Sequence, residues 1–388
     1  MYSNLIFYGI KGMKNKICVY AICKNEIKFV EQWLNNMSEA DYIVVLDTGS
    51  TDGTLEKLQA DSRVTKVESK VIKPWRFDVA RNESMKLIPD DANILVCTDF
   101  DELFTPGWGN ILREHWLEST TRAHYMYAWS HSELGERTDT FIYDKIHTRD
   151  YFWVYPVHEV LARKDPENEV VLDLCNLQDK FYLDHYQDKA KSRTSYFDLL
   201  KLSVEENPND SHVRMLLARE YLINEKLEDA LKEYLAVLQM PDVESHDKRL
   251  ILLESLGRCA DIYKALKNYD EAIWYAQEFI KEDYTFREPY MLLGEVYNNM
   301  NMFTLAEATV EAGLKYGTKK DTWVERADSW LTLPNEILSY SYYKLGKLDA
   351  AIEQIKIVLE HHPDNQWALK NYTAMLEEKL KEVQLKIK

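Results

Sequence analysis

The sequence predicts a mixed α/β domain with a Rossmann-like, mostly parallel sheet, followed by an all-α region of helical hairpins. From residue 16 to about residue 186, short apolar runs alternate with segments of helical periodicity. Strands that are apolar throughout indicate a parallel sheet with helices on both faces. From about residue 192 only helical patterns remain. The predicted parts are an N-terminal extension (1–15), an α/β domain (16–190) and a helical domain (191–388).

Strands and helices are predicted to alternate along the α/β domain. The predicted strands are KICVYAIC (16–23), DYIVVLD (41–47), VTKVES (64–69) and NILVCTD (93–99). The predicted helices are EIKFVEQWLNNM (26–37), TLEKLQA (54–60) and FDVARNESMKLI (77–88). Three of the strands run into polar segments, at residues 24–26, 47–50 and 99–102. Ligands of open α/β sheets bind beyond the carboxyl ends of the strands, so a ligand site is predicted at this edge.

The helical domain contains four segments with one shared pattern, at residues 215–238, 255–280, 290–314 and 337–363. In each segment a small residue is followed by a Tyr three residues later and by an Ala nine residues after the Tyr. The small residues, which let paired helices approach closely, are Ala218, Ala260, Gly294 and Ser339. The Tyr residues are Tyr221, Tyr263, Tyr297 and Tyr342, and the Ala residues are Ala230, Ala272, Ala306 and Ala351.

This pattern resembles tetratricopeptide repeats, whose usual period is about 34 residues. The Ala-to-Ala spacings are 42, 34 and 45, so insertions are expected in two of the connections between repeats. Such a repeat solenoid offers a surface for an extended peptide or a partner chain. An unrelated helical bundle is the alternative interpretation.

Composition excludes several classes of function. The formal net charge of −17 argues against general nucleic-acid binding, which needs a basic surface. No run of about 18 apolar residues occurs, so no transmembrane segment is predicted. The five cysteines include no C-x-x-C pair, which favours free thiols in a reducing cytosol over a zinc site or a disulfide framework. We therefore expect a cytoplasmic protein.

The acidic segment after the fourth strand contains a D-x-D pattern, Asp99 and Asp101. Alternate residues of an extended chain point the same way, so both carboxylates can face one cation. Hard divalent cations such as Mg²⁺ or Mn²⁺ prefer oxygen ligands and share them with substrate phosphates. The pattern therefore indicates a metal site, although acidic triplets are also common in ordinary loops.

Four segments together, ICVYAICKNE, YIVVLDTGSTDGT, RFDVARNES and ILVCTDFDE, resemble the nucleotide-sugar half of family-2 glycosyltransferases with a GT-A fold. The resemblance covers residues 16 to about 104. It implies a donor site, usually for a UDP-sugar, with nucleotide-sugar contacts from Asn25, Glu26, Asp47, Ser50, Asp52, Arg81 and Asp99. In this set Arg81 would pair with the diphosphate, Asp99 would hold the ribose or donor sugar, and Asp101, with Asp99, would bind Mg²⁺ or Mn²⁺.

Each of these residues also has a purely structural interpretation. Asn25 is suited to cap a helix, and Asp47 is suited to end a strand in a turn. Arg81 fits an ordinary ion pair.

The later segment VYPVHEVL resembles a subset of these enzymes that is fused to tetratricopeptide repeats, including the sublancin-type peptide S-glycosyltransferases. The resemblance implies that a late histidine returns to the metal, with His158 and His185 as candidates. A buried, hydrogen-bonded histidine is the alternative for either one. Lys191 and Arg193 are candidates to steady the diphosphate or, equally, to decorate the first repeat helix.

The family is inverting, so the resemblance implies direct displacement at the anomeric carbon with one general base. Glu159 is the candidate base and Asp144 a weaker one. The local motif that usually carries the base is not found in this sequence. A thiol acceptor would need a strong base less, because a thiolate forms readily.

The expected function is metal-dependent transfer of a sugar from a nucleotide-diphosphate sugar to a peptide or protein side chain. The repeats would bind the acceptor or form a homodimer. Two alternatives stay open. One is a transferase in cell-surface polysaccharide or glycolipid synthesis, and the other is a non-catalytic repeat scaffold with a degenerate transferase domain.

Overall fold

The computed structural model describes residues 15–132, 135–165, 173–188, 196–240, 246–320 and 322–387. The chain forms two compact units, Met1–Ser203 and Val204–Lys388. This division falls inside a helix beyond residue 190, where the domain boundary was predicted. Residues 1–14 of the expected N-terminal extension lie outside the described residues, as do Lys191 and Arg193.

The first unit is rich in strands. Its strands are β1 (Ile17–Cys23), β2 (Tyr42–Asp47), β3 (Lys66–Ser69), β4 (Ile94–Cys97), β5 (Glu102–Phe104), β6 (Thr120–Ala128), β7 (Thr140–His147), β8 (Tyr151–Val154), β9 (Val160–Arg163), β10 (Asp173–Asn176) and β11 (Tyr182–His185). Its helices are α1 (Val30–Met37), α2 (Thr54–Ala60), α3 (Phe77–Met85), α4 (Trp108–His115) and α5 (Tyr196–Glu206), the last of which spans the division between the units.

The main sheet has a parallel half and a mixed half. Its order is β3-β2-β1-β4-β7-β6-β11-β5, with β10 paired to β6. The four strands β3, β2, β1 and β4 are parallel, as predicted. β7 then runs antiparallel to β4 and to β6, and β5 runs antiparallel to β11. The sequence patterns did not predict this second half. β8 and β9 form a separate antiparallel hairpin.

Strand β1 is buried on both faces, as expected for the centre of a parallel sheet. Ile17, Val19 and Ala21 pack into one apolar core, which also contains Trp33 of α1. The alternate residues of the strand, including Tyr20, pack into the core on the opposite face. The period of two along the strand therefore supplies side chains to two cores at once.

A buried polar chain crosses the second of these cores. The indole N–H of Trp153 donates to the Tyr20 hydroxyl over 2.8 Å, and that hydroxyl lies 2.6 Å from Nε2 of His147. Nδ1 of His147 lies 2.7 Å from the Thr148 carbonyl oxygen, which can only accept. His147 therefore carries its proton on Nδ1 and accepts from Tyr20 at Nε2. Burial lowers the pKa of His147 to about 3, so the ring is neutral.

The neutral His147 makes stability depend on pH. Below its ordinary pKa of 6.5 the unfolded chain binds a proton at His147, whereas the folded chain does not until about pH 3. The free energy of unfolding should therefore fall with decreasing pH in this window, by up to about 1.4 kcal/mol per pH unit. Urea unfolding followed by tryptophan fluorescence between about pH 7 and pH 5 would measure this slope. The His147→Gln variant should show a shallower slope, and an unchanged slope would contradict the assignment.

The second unit is all-helical within the described residues. After α5 come α6 (Ser211–Ile223), α7 (Leu227–Leu238), α8 (His246–Ala265), α9 (Tyr269–Glu282), α10 (Glu288–Asn299), α11 (Phe303–Tyr316), α12 (Ala327–Trp330), α13 (Leu333–Lys344), α14 (Leu348–His361) and α15 (Gln366–Ile387). The four predicted hairpins are confirmed as α6–α7, α8–α9, α10–α11 and α13–α14.

The repeated small residues lie at the helix contacts of these hairpins. All of the predicted Ala positions are fully buried, and so is Ser339. At Gly294 a Cβ atom would lie 2.5 Å from a methyl group of Val310 on the paired helix, too close for any side chain. The first helices of successive hairpins, α6, α8, α10 and α13, pack on one another as one row.

Each hairpin turns through the same three-residue connection. Its middle residue has a left-handed φ of 57° to 72°, and these residues are Glu225 (57°), Lys267 (63°), Asn301 (60°) and Gly346 (72°). The amide that follows it donates over 2.8 to 2.9 Å to the carbonyl of the repeated tyrosine, as in Lys347 to Tyr342. This bond identifies a Schellman motif, which satisfies carbonyls at the end of the first helix.

We expect stability to be most sensitive to substitution at the residue with left-handed φ in each turn. Gly346→Ala should lower the free energy of unfolding by about 1 kcal/mol, because only glycine adopts this conformation without strain. No atom lies within 4 Å of the added Cβ, so crowding does not contribute. Lys267→Gly at the equivalent turn should raise the free energy of unfolding. Urea midpoints followed by far-ultraviolet circular dichroism test both, and equal stability of Gly346→Ala and wild type would refute the strain argument.

Candidate functional site

The carboxyl ends of three neighbouring strands meet at one edge of the parallel half. Cys23 at the end of β1 pairs with Asp47 at the end of β2. On the other side of β1, Tyr20 pairs with Cys97, the last residue of β4. The polar segments that follow β1, β2 and β4 therefore start side by side, as the strand pattern predicted.

The loops after β1 and β2 are hydrogen-bonded to each other. The Asn25 amide donates to the Ser50 hydroxyl over 2.9 Å, and the Asn25 side-chain oxygen accepts from the Thr51 amide over 2.7 Å. Asn25 takes a left-handed φ of 60°, which asparagine tolerates. The structure thus brings Asn25 and Ser50 together, with both side chains within a two-loop network.

A second pair of bonds extends this network. The Glu26 amide donates to the Thr54 hydroxyl over 2.8 Å. The Asp52 carboxylate accepts from the amides of Ile27 and Thr54, over 3.1 and 3.0 Å. Glu26 is buried, whereas Asp52 is exposed. The five predicted nucleotide-sugar contacts other than Arg81 and Asp99 therefore lie in or beside these two loops.

Asp47 is fully buried and shapes the second loop. Its carboxylate accepts from the amides of Gly49 and Ser50 over 3.0 and 3.2 Å, and from the Ser69 hydroxyl over 3.1 Å. Gly49 and Gly53 have left-handed φ values of 110° and 92°, which allow the loop to turn sharply. These contacts match the structural interpretation of Asp47 as the residue that ends a strand in a turn.

Arg81 of α3 is the buried centre of the charged site. Its Nη2 lies 3.0 and 3.1 Å from the two carboxylate oxygens of Asp99, and its Nε bonds to Glu159. Nη1 lies 3.1 Å from the sulfur of Cys97, and the guanidinium lies over the Trp153 ring. Burial alone would lower the pKa of Arg81, but the neighbouring Asp99 and Glu159 raise it well above its ordinary value. Arg81 is therefore always positively charged, and it forms ion pairs with two carboxylates.

The acidic segment after β4 is anchored by its aromatic residue. Phe100 is buried and stacks on Trp33, with ring centroids 4.3 Å apart. The Asp99 amide donates to the Glu102 carboxylate over 2.8 Å, which closes the turn. With Phe100 fixed in the core, the carboxylates on either side of it are held at the sheet edge.

Lys145 and Glu102 complete the site, and neither was among the predicted site residues. The Lys145 Nζ lies 3.7 Å from Asp99 and faces the Tyr143 ring. Burial lowers the pKa of Lys145, yet the nearby Tyr143, Glu102 and Asp99 raise it well above its ordinary value. Burial raises the pKa of Glu102, which Lys145 opposes. The D-F-D-E segment signalled Glu102, whereas nothing in the sequence placed Lys145 beside Asp99.

Asp101 has a different partner. Its carboxylate lies 3.7 Å from Nε2 of His185, longer than a normal hydrogen bond. His185 stacks on Trp129, with ring centroids 4.7 Å apart. Burial lowers the pKa of His185, but Asp101 outweighs it and the net shift is upward. The structure therefore brings together two of the four predicted metal ligands, Asp101 and His185.

The other candidates lie elsewhere. His158 is exposed, with a left-handed φ of 52°, and packs edge-on to the Tyr196 ring. Asp144 pairs with Arg122 over 2.8 Å. Because neighbours along a strand point to opposite faces, Asp144 points away from the face that carries Lys145. Neither residue is brought to the Asp99–Asp101 segment. Across the described ranges, no group of three or more His, Cys, Asp or Glu side chains is arranged to hold a metal ion.

The chain matches no protein-family model and no curated protein. The solved structures that it resembles include tetratricopeptide-repeat proteins. A MamA fragment from Desulfovibrio magneticus is 16% identical, with a TM-score of 0.36, over 44% of this chain and 85% of that one. YrrB, described as a TPR protein with an unusual peptide-binding site, is 18% identical, with a TM-score of 0.35, over 46% and 83%. TTC0263, a TPR protein of Thermus thermophilus, is 18% identical, with a TM-score of 0.33, over 47% and 90%.

At these sequence identities and TM-scores, the likenesses carry no inference about function. The repeat interpretation of the second unit rests on its four hairpins and their identical turns. Among the described helices, none is both long and apolar enough to cross a membrane.

The ion pairs of Arg81 give a stability prediction. Glu159→Ala removes one of two carboxylates from a buried guanidinium and leaves its Nε–H without an acceptor, which typically costs about 1–3 kcal/mol of stability. Asp144→Asn is the matched control, because its half-exposed pair with Arg122 should contribute less than about 1 kcal/mol. Urea unfolding followed by tryptophan fluorescence measures both. Equal effects of the two substitutions would show that Arg81 does not depend on Glu159.

Proposed function

We propose that the protein is an inverting glycosyltransferase with a GT-A-type first unit that uses a nucleotide-diphosphate sugar, with UDP-sugars as the donor class. The observation that carries this proposal is the convergence of four separate sequence segments at one sheet edge. Residues 24–26, 47–54, Arg81 and 99–102 all lie where a parallel sheet presents its ligand site.

The two interlocked loops are the proposed nucleoside side. Asn25, Ser50 and Asp52 lie at the surface of these loops, whereas Asp47 is buried beneath them. In this proposal Asp47 holds the loop in shape, and Glu26 supports it from the buried side. Their hydrogen bonds pre-organise the loops, so little ordering is left for nucleotide binding.

Arg81 acts as a positioning residue in this proposal. Each of its three nitrogens already contacts Asp99, Glu159 or Cys97, and its side chain is buried, so a diphosphate would reach it only if Asp99 moved. It holds the carboxylate of Asp99 at the strand end, where the ribose or donor sugar would lie. Lys145, on the other side of Asp99, supplies a second fixed positive charge.

Asp101 and His185 are the residues that would hold Mg²⁺ or Mn²⁺. The described residues do not form a protein cage, but Mg²⁺ often needs only one or two carboxylates and completes its shell with water and substrate phosphates. When bound, the cation would neutralise charge on the leaving diphosphate. The 3.7 Å gap between Asp101 and His185 is too long for a good hydrogen bond and compatible with two groups facing one ion.

Glu159 remains the proposed general base. An acceptor hydroxyl oxygen would form the new bond to the anomeric carbon as the bond to the diphosphate breaks, and its proton would pass to Glu159. The bond from Arg81 fixes the orientation of this carboxylate. Asp144 points to the opposite face of β7 and is not held by Arg81.

The acceptor is proposed to be a peptide or protein side chain recruited by the helical repeats, which also offer a surface for a homodimer. A cytoplasmic location is part of the proposal and rests on five free, buried cysteines. A transferase of cell-surface polysaccharide or glycolipid synthesis is the alternative enzyme. A non-catalytic repeat scaffold is favoured by one observation, the engagement of Asp47 and Arg81 by groups within the protein.

Calorimetric titration of UDP, with and without Mn²⁺, separates these proposals. The wild type should bind UDP more tightly with Mn²⁺. Asp101→Asn should weaken that binding by at least about tenfold, because even outer partners of a metal are worth this much. Asp144→Asn, a carboxylate removed from the other face of the sheet, should bind as the wild type does.

The opposite result is equally informative. If the folded wild type binds neither UDP nor GDP nor CDP, with or without Mn²⁺, the transferase proposal fails and the scaffold becomes the better account. If UDP binds equally to wild type and Asp101→Asn, the donor site stands but the metal assignment to Asp101 is wrong.

A further inference from the structure

The connection between α11 and α13 is far longer than the three-residue turns within the hairpins. It spans residues 317–332, includes the short helix α12, and accounts for the Ala-to-Ala spacing of 45. Near its start the Thr318 amide donates to the Thr285 carbonyl over 2.9 Å, and Lys320 lies 3.4 Å from Asp283. The connection therefore runs back from α11 toward the preceding hairpin instead of passing directly to α13. We call residues 318–332 the strap.

The strap is anchored by two neighbouring apolar side chains. Val324 is buried in a cluster with Leu253 and Leu256 of α8 and with Phe279 of α9. The Trp323 ring lies under the guanidinium of Arg219 on α6, at 4.7 Å. The strap thus reaches the first helices of the first two hairpins, which belong to the row α6, α8, α10 and α13.

Arg326 and Trp330 of the strap add polar anchors on the same row of helices. The Arg326 guanidinium donates to Asp261 of α8 over 2.9 Å. The Arg326 amide and the Trp330 indole N–H both donate to one carboxylate oxygen of Glu288 on α10, over 3.1 and 3.2 Å. Arg287 stacks on the Trp330 ring at 3.7 Å. Three successive first helices therefore hold one connecting segment, in which residues 323 and 324 form a turn and Ala327–Trp330 form α12.

The helix face beneath the strap carries buried charge that the hairpin packing does not require. Glu254 is buried between the guanidinium groups of Arg219 and Arg258, at 3.1 and 3.0 Å. Glu288 is also buried, and its Oε2 atom accepts no hydrogen bond from the described residues. A cavity lies between these groups, lined by Glu254, Gly257, Arg258, Glu288, Val324 and Arg326.

A buried carboxylate oxygen without a donor costs free energy, so packing alone does not explain Glu288. Buried carboxylates on one face, with spare acceptor capacity, suit a chain that brings backbone and side-chain N–H donors. The strap supplies two such donors to Glu288. This face can therefore accept N–H donors from a polypeptide segment, and the strap leaves one acceptor, Oε2 of Glu288, unused.

We propose that the strap is a displaceable, built-in occupant of the face of α6, α8 and α10, and that a segment of a partner protein takes its place there. The partner segment offers the same groups in the same spacing as Trp323, Val324 and Arg326: an aromatic side chain, a β-branched side chain next to it, and an arginine two residues further. The inference concerns the second unit alone and does not depend on the transferase proposal.

Replacement of the strap by a partner is energetically feasible. The strap buries few apolar side chains completely, since Trp323 stays 38% exposed and Leu331 stays 50% exposed. A tethered segment acts at an effective concentration on the order of millimolar. Weak intrinsic affinity is therefore enough to cover this face, and a partner with stronger contacts displaces the strap.

A peptide supplied in trans tests this face directly. A fluorescently labelled peptide with the sequence of residues 318–332 is titrated into the full-length wild type and into a Val324→Asp, Arg326→Ala double variant. The double variant should bind it at least about tenfold more tightly, because its own strap no longer competes. Leu331→Ala, a change at an exposed strap residue, should behave as the wild type. A scrambled peptide should bind none of them.

Failure of the peptide to bind the double variant, with helical circular dichroism unchanged, would overturn the proposal. Equal binding to wild type and double variant would overturn the idea that the strap occupies this face. If the double variant does not fold, hydrogen exchange on the wild type decides instead. The strap amide of Arg326 should exchange at least about tenfold faster than the helical amides of α8 and α10, by local opening. Exchange at the same rate would make the strap an integral part of the fold and refute the proposal.

Discussion

The candidate site depends on one buried cation, Arg81. A guanidinium removed from water is stable only when carboxylates and hydrogen-bond acceptors replace the solvent. Here the acceptors come from three places: Asp99 after β4, Glu159 before β9, and the sulfur of Cys97. Arg81 therefore ties helix α3 to the end of the central sheet and to the β8–β9 hairpin. The positions of the proposed sugar-binding carboxylate and of the proposed base both follow from this single requirement.

The same physical rule distinguishes two carboxylates in the second unit. Glu254 is buried with two guanidinium groups beside it, so its charge is compensated. Glu288 accepts from two neutral donors of the strap, and its Oε2 accepts no hydrogen bond from the described residues. Burial raises the pKa of Glu288, which fits a carboxylate short of partners. A buried carboxylate with a full set of partners is explained by the fold alone, whereas a buried carboxylate that lacks a partner indicates a role in binding.

Local periodicity predicted the secondary structure well where the elements are regular. The four parallel strands and the four hairpins appear where the apolar spacing placed them. The mixed half of the sheet did not emerge from the sequence, in part because β5, β10 and β11 are only three or four residues long and pair with strands that are distant in the sequence. Short strands have too few residues for a recognisable alternation, and their pairing is decided by packing. Helix α1 also begins at Val30, later than residue 26, because residues 27–29 form a turn.

The sequence by itself determined which functional groups the protein has and which strands and helices carry them. A D-x-D pattern at a strand end and a repeated small–Tyr–Ala pattern are local, so adjacent residues contain all the information. Only the tertiary structure decided which residues these groups contact. It placed Glu159 on Arg81, 78 residues away, turned Lys145 toward the site and Asp144 away from it, and laid the strap on α6, α8 and α10. Such contacts depend on strand register and on the path of long connections, which are set by the packing of the whole unit and not by any one segment.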